Sequence, residues 1–389
     1  MDFINQFTAH AILAALVAGL WFSVPGAWVG RWLGWYPQLR LSTLLVAPFL
    51  GLCTFGAFSL VLTTMIGYST FTLGCSWLLF QLLVLLASRR HYSETEVFYP
   101  LSMPLSVLLL VGIGLWALIP TLHIMPFVDQ NALFVDKHIY DHAKIALVDA
   151  IAREGLLPIN PYYAPGGETI LLNYYYSWHF LVSQLKLLLP ISGWQAEVAM
   201  SWFTGFAVVG LLAALAIQIT QKARAGFLLL LCAALGQPTA SLYAHFNLEW
   251  KQWFAYPSEH GLELLLDQMM WVPQHVFSAT AVVLVIFLVS RLLLTQRLQM
   301  HYIVIGGLTV ATAFGASTWI GGIGLLLASP IFLLLVLSLR LPKSHYFNLF
   351  KALLLMALIG IAAALPLLIS QTAGPHADLP FSLSIYQST

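Results

Sequence analysis

Apolar runs long enough to cross about 30 Å of hydrocarbon, at about 1.5 Å per helical residue, recur along the whole chain. They fall near residues 11–33, 42–66, 70–88, 104–122, 194–219, 225–243, 275–296, 302–317, 319–340 and 348–370. Two long polar stretches interrupt them, 123–173 and 245–274. The pattern predicts an all-α fold, a polytopic membrane helix bundle with about ten spanning helices. It divides the chain into N-terminal membrane helices (1–122), an outer loop (123–193), a second helix bundle (194–370) that includes an outer loop at 244–274, and an outer tail (371–389). The stop at Ser384-Ile385-Tyr386-Gln387-Ser388-Thr389, soon after the last run, reads as the end of a fragment lacking a C-terminal part.

Within the first polar stretch, residues 138–154 carry a helical period. Ile139, Ala143, Ala146, Leu147, Ala150 and Ile151 share one face, and His138, Asp141, His142 and Asp149 lie opposite. This predicts an amphipathic helix on the membrane surface. Gly155 should end it, with Pro158 and Pro161 preventing a restart. A second segment, 174–190, opens on Tyr174, Tyr175, Tyr176 and Trp178, residues suited to the headgroup region, and carries His179, Gln184 and Lys186. It too is expected to lie along the outer leaflet, because a crossing there would put Lys222 and Arg224 outside. Arg31, Arg40, Arg89, Arg90, Arg291, Arg297, Arg340 and Lys343 occupy the remaining short basic loops, which positions those loops in the cytoplasm and both acidic loops outside.

Composition sharpens this reading. Hydrophobic residues form 60% of the chain and charged residues 8%, where a soluble domain carries about 25%. Mean hydropathy is +0.86. A net charge of +1 without a basic stripe excludes a nucleic-acid partner. Six acids in the first polar stretch (Asp129, Asp136, Asp141, Asp149, Glu154, Glu168) and four in the second (Glu249, Glu259, Glu263, Asp267) make ten of the chain's fifteen. The N-terminus has no basic residue before its apolar run, so the first helix reads as a retained span. Cys53, Cys75 and Cys232 lie in apolar runs and read as small hydrophobes.

The concentrated acids point to chemistry or ligand binding outside the membrane. A carboxylate such as Asp141 at the surface can act as general base on an incoming hydroxyl. His142 and His179 can orient it, and Lys144, Lys137 or Lys186 can pair with a lipid phosphate. His138-Ile139-Tyr140-Asp141-His142 has the form H-x-x-D-H, a weak relative of the inverted zinc-protease pattern. Asp136, Asp141 and His142 are the candidates for holding a divalent metal, Mg or Mn, that would grip a phosphate. In the second loop Gln274 and His275, at a helix start, can donate to an oxyanion. Trp250, Trp253 and Trp271 can stack on a sugar or anchor the interface, and Glu249 and Glu259 are possible second carboxylates. Against each stands the plainer reading of a solvated polar face. Gly306, Gly307, Gly315, Gly321, Gly322 and Gly324 need only close helix packing. Glu197 and Lys186 lie near predicted helix ends, where charge is cheap, which counts against a coupled transporter.

Asp141-His142-Ala143-Lys144, Asn160-Pro161 and Tyr174-Tyr175-Tyr176-Ser177-Trp178-His179, in that order after an outward-running helix, resemble the first outer loop of the GT-C superfamily of membrane glycosyltransferases. They also resemble a group of little-characterised bacterial multi-pass proteins near that superfamily. The resemblance is clearest over 120–220 and weaker over 245–320. It implies transfer of a sugar from a polyprenyl-phosphate donor to an acceptor on the outer side of the bacterial cytoplasmic (inner) membrane. It implies that Asp141, with Asp136 as rival, serves as base or binds metal. His142, His179, Lys144, Tyr176, Trp271, Gln274 and His275 would hold donor and acceptor. The expected partners are the lipid-linked donor and membrane lipids. The alternatives are a transporter or flippase of lipid-linked glycans and a non-catalytic envelope-assembly subunit.

Overall fold

A computed structural model describes residues 2–36, 40–89, 98–129, 132–135, 141–162, 170–235, 265–295 and 298–372. Eight helices are long and apolar enough to cross a membrane. They are α1 (Asp2–Trp32), α2 (Ala47–Ile66), α3 (Thr70–Ser88), α4 (Met103–Leu122), α7 (Gly193–Thr220), α10 (Pro273–Thr295), α12 (Ile323–Ser338, continuing a π-turn at Thr318–Gly322) and α13 (Lys343–Thr372). Two shorter apolar helices, α8 (Arg224–Leu235) and α11 (Met300–Ala316), fall on two further expected runs. The remaining described helices are α5 (Asp141–Glu154), α6 (Ser177–Leu188) and α9 (Leu265–Trp271). The chain is an all-α, multi-pass membrane bundle.

In lipid, helices gain little from burying apolar surface, so close contact depends on small residues. The α1–α2 crossing shows this. A Cβ added at Gly26 would overlap the Ala47 carbonyl oxygen, and one at Gly51 would overlap that of Phe22. Gly26→Ala or Gly51→Ala is therefore expected to separate the helices and cost about 1–3 kcal/mol. Gly19→Ala, where an added methyl meets nothing within 4 Å, is the control. Thermal melting in detergent checks this. Gly306 and Gly307 likewise admit Met356 and Ile359 of α13, Gly315 admits Leu367 and Gly321 the Ala313 carbonyl, while Gly322 and Gly324 make ordinary contacts.

The outer loop contains an element the hydrophobic pattern does not announce. Residues Pro126–Asp129 (β1) pair antiparallel with Ala132–Val135 (β2), and Phe127 stacks on Phe134 at 5.9 Å. Helix α5 follows and ends where expected, with Gly155 at φ 87 closing it.

Helix α6 corrects an expectation. It does not lie on the outer leaflet: Ser177 through Leu185 are all buried. At twelve residues, about 18 Å, it is too short to span. Its polar residues face protein instead of water. Gln184 accepts from Trp21 Nε1 (2.8 Å) and donates to Ser59 Oγ (3.2 Å). Ser183 pairs with Tyr68 (2.7 Å), and Trp178 Nε1 donates to Thr204 (3.0 Å). These bonds satisfy groups whose burial would otherwise be costly, and they wedge α6 among α1, α2 and α7. Cys53 is buried as expected, whereas Cys75 and Cys232 are exposed on the apolar exterior.

Candidate functional site

The inward stripe of α5 is Lys144, Leu147, Val148 and Ile151, spaced i, i+3, i+4, i+7. Lys144 thus points into the bundle, 4% exposed, and is not available to a lipid phosphate at the surface. Its ammonium lies 2.7 Å from Glu197 Oε1 and donates to the Met270 carbonyl at 3.2 Å. Glu197, within α7, is 1% exposed. Glu197 does lie near a helix end, at the start of the second turn of α7, but it is buried beneath α5, so its charge is not cheap there and is met by Lys144. One ion pair therefore joins α5, α7 and α9. Between one and two turns further along α5, Lys186 pairs with Asp149 at 2.5 Å. The Asp149 carboxylate packs against Gly193, in the first turn of α7, where a helix N-terminus favours negative charge.

Above Lys144 the chain gathers three distant segments. Residues 158–160 bond to 170–172 (Leu172 N to Pro158 O, Asn160 N to Ile170 O, both 2.8 Å), and Asn160 Oδ1 accepts from Tyr162 N at 3.0 Å. This turn carries the Tyr162 hydroxyl onto the Ala143 carbonyl in the first turn of α5. Tyr174 stacks on Tyr175 at 4.0 Å, with Gln274 beside it. The Tyr175 hydroxyl meets His275 Nε2 at 2.9 Å. Pro273 starts α10 afresh after α9, so Gln274 and His275 occupy a helix first turn. Partial burial raises the pKa of Tyr162, Tyr174 and Tyr175, so these phenols stay protonated and act as donors, not bases.

Asp136 lies outside the described residues, as do the side chains of Asp141 and His142; Asp141 opens α5, three residues before Lys144. Gln274 and His275 reach the tyrosine cluster. Tyr176 does not: it is fully buried, its hydroxyl 3.5 Å from the Pro366 carbonyl. Trp271 ends α9, half-buried. Glu168, Glu249, Glu259, Glu263, Trp250, Trp253, Lys137 and His138 fall outside the described residues. Among the described residues no group of three or more His, Cys, Asp or Glu side chains could hold a metal; the three metal candidates' side chains lie outside those residues. Sequence reasoning missed Glu197 as Lys144's partner, and Tyr162 altogether; a lone acid inside an apolar span was the available signal for the first.

His179 is fully buried, and neither ring nitrogen has a hydrogen-bond partner among the described residues. It stands against Trp178 and Tyr174, ring centroids 5.3 and 5.9 Å away. Burial, and secondarily the Lys144 cation, lower its pKa from 6.5 to about 3. Between these values the unfolded chain binds a proton that the folded chain does not. Stability is therefore complete above about pH 6.5 and declines as pH falls toward 3. Melting in detergent from pH 7.5 downward should show this decline, and His179→Phe should flatten it.

No family model matches the chain, and no solved structure matches it. The chain is similar to a protein of Sinorhizobium fredii (strain NBRC 101917 / NGR234) described as uncharacterized protein y4nK, with 32% identity over 263 residues. That match covers 67% of this chain and 39% of the relative, so the chain spans well under half the length of the curated relative it matches.

Proposed function

We propose that the protein is a bacterial inner-membrane glycosyltransferase, moving a sugar from a polyprenyl-phosphate donor to a hydroxyl acceptor on the outer side. The observation that carries this reading is the convergence of α5's first turn, the tyrosines 162, 174 and 175, and the Gln274–His275 turn above a buried ion pair. Asp141 takes the acceptor's proton as its oxygen bonds to the anomeric carbon. The bond from that carbon to the phosphate oxygen breaks, and the lipid phosphate departs. Gln274 and His275, at a helix N-terminus, and the protonated phenols stabilise the charge that develops on that phosphate. Lys144 touches neither substrate; it fixes the turn that carries Asp141.

One observation favours a second reading, a transporter or flippase of lipid-linked glycans. An ionisable cluster inside a membrane protein (Lys144, Glu197 and His179) is what such carriers use. The deciding experiment incubates detergent-solubilised protein with a radiolabelled polyprenyl-phosphate sugar and a hydroxyl acceptor. Labelled acceptor is the expected product, since transfer needs no sealed membrane. Movement of the lipid across proteoliposomes, with no product in detergent, would replace the first reading by the second.

A further inference from the structure

The opposite end of the bundle carries a separate site. A groove of about 840 Å³ opens between α12 on one side and α10, α11 and α13 on the other, lined by Val285, Val289, Phe332, Val336, Leu349 and Leu353 among others. That volume is in the range of ligand pockets. The backbone of α12 stays near the preceding π-turn and part of α10 but does not pack closely on α11 or α13, which leaves the groove open.

The groove's depth identifies what it fits. Its lining runs from Leu325 to Val336 on α12 and from Tyr346 to Ala357 on α13. Each stretch advances about 16 Å along its helix, half the hydrocarbon thickness. A spanning helix from a second copy or another protein would need a face twice as deep. A chain from one leaflet fits. The shallow end lies at the turn between α12 and α13, which carries Arg340 and Lys343, both exposed. The Tyr346 hydroxyl accepts from Leu341 N at 3.0 Å and lies 3.4 Å from the Val336 carbonyl, which fixes that turn at the groove's mouth. Arg291 follows the groove residue Val289 on α10 at the same end.

No acidic residue occurs from Gln268 to Ala377, so nothing of opposite sign in this segment offsets those cations. His345, 2% exposed, adds a buried imidazole with neither nitrogen hydrogen-bonded among the described residues. Basic loops alone follow from membrane orientation; basic residues fixed at the mouth of a one-leaflet apolar groove are a more specific arrangement.

We infer that this groove binds an anionic phospholipid of the cytoplasmic leaflet, its acyl chain between α12 and α13 and its phosphate against Arg340 and Lys343. The site is independent of sugar transfer and stands or falls separately from it. Purified protein is incubated with equal amounts of phosphatidylglycerol and phosphatidylcholine of matched acyl chains, and retained lipid is read by native mass spectrometry. Phosphatidylglycerol should be preferred. Arg340→Gln with Lys343→Gln, both surface changes, should lower that preference about fivefold per cation, on the order of 25-fold together. Ala328→Trp, which fills the groove, should reduce retention of both lipids. Equal retention of the two lipids by the unaltered protein, or a preference that survives loss of both cations, would overturn the inference. Displacement by millimolar inorganic phosphate would show a free-anion site instead, and a change of oligomeric state in Ala328→Trp would show a protein partner; either also overturns it.

Discussion

Lys144→Met is expected to destabilise the folded protein by about 3–5 kcal/mol, the usual consequence of removing one partner from a buried ion pair. The methionine fills nearly the same space, so little packing is lost. What remains is the Glu197 carboxylate, 1% exposed, without its cation, and a Met270 carbonyl without the ammonium that bonded it. Lys144→Met with Glu197→Leu removes both charges, and the double variant should recover most or all of the loss, since apolar replacement of a whole pair is often neutral or stabilising. Melting midpoints of the two single variants and the double, in one detergent, give the coupling directly. Additive losses would mean that Lys144 and Glu197 do not interact. The pair also ties α5 to α7 and to α9, so on the glycosyltransferase reading the single variants should lose transfer activity before they lose their fold.

That coupling was only half legible in the sequence. The long helices could be read because hydropathy over some twenty residues is a strong signal, and the end of α5 because a glycine at positive φ closes it. The place of α6 could not. An aromatic-rich amphipathic segment reads the same whether its polar residues meet headgroups or the interior of a bundle; only Trp21, Ser59 and Tyr68, far away in sequence, decide that Gln184 and Ser183 face inward. Lys144 was misplaced for a related reason. The apolar face read from the sequence, Ala143, Ala146, Leu147, Ala150 and Ile151, left Lys144 out of the buried stripe, because a lysine is admitted there only if a carboxylate awaits it, and Glu197 lies on another helix. The hairpin at 126–135 is four residues per strand, too short for alternation to stand out beside long apolar runs. At the candidate site, Gln274 and His275 were found from their helix-start position, whereas Tyr162 enters only through the Asn160 turn.

On the glycosyltransferase reading, Asp141→Asn should lower the transfer rate by about 10²–10⁴-fold, the contribution typical of a positioned general base. Asparagine keeps the size and hydrogen-bonding outline of aspartate at the opening of α5 but cannot accept the proton that the acceptor must shed. The buried Lys144, Leu147, Val148 and Ile151 stripe that holds the helix is untouched. Melting should therefore be nearly unchanged and retention of the lipid donor preserved, which separates lost chemistry from lost structure. Asp136→Asn, made in parallel, tests the rival. A larger loss there than at Asp141 moves the base to Asp136; full activity in both variants removes both as the base and overturns this mechanism. The tyrosines give an independent reading of the same site. Kept protonated by burial, they can donate to sugar or phosphate oxygens but cannot replace the missing base, so Tyr175→Phe should weaken transfer far less than Asp141→Asn while freeing His275 from its 2.9 Å partner.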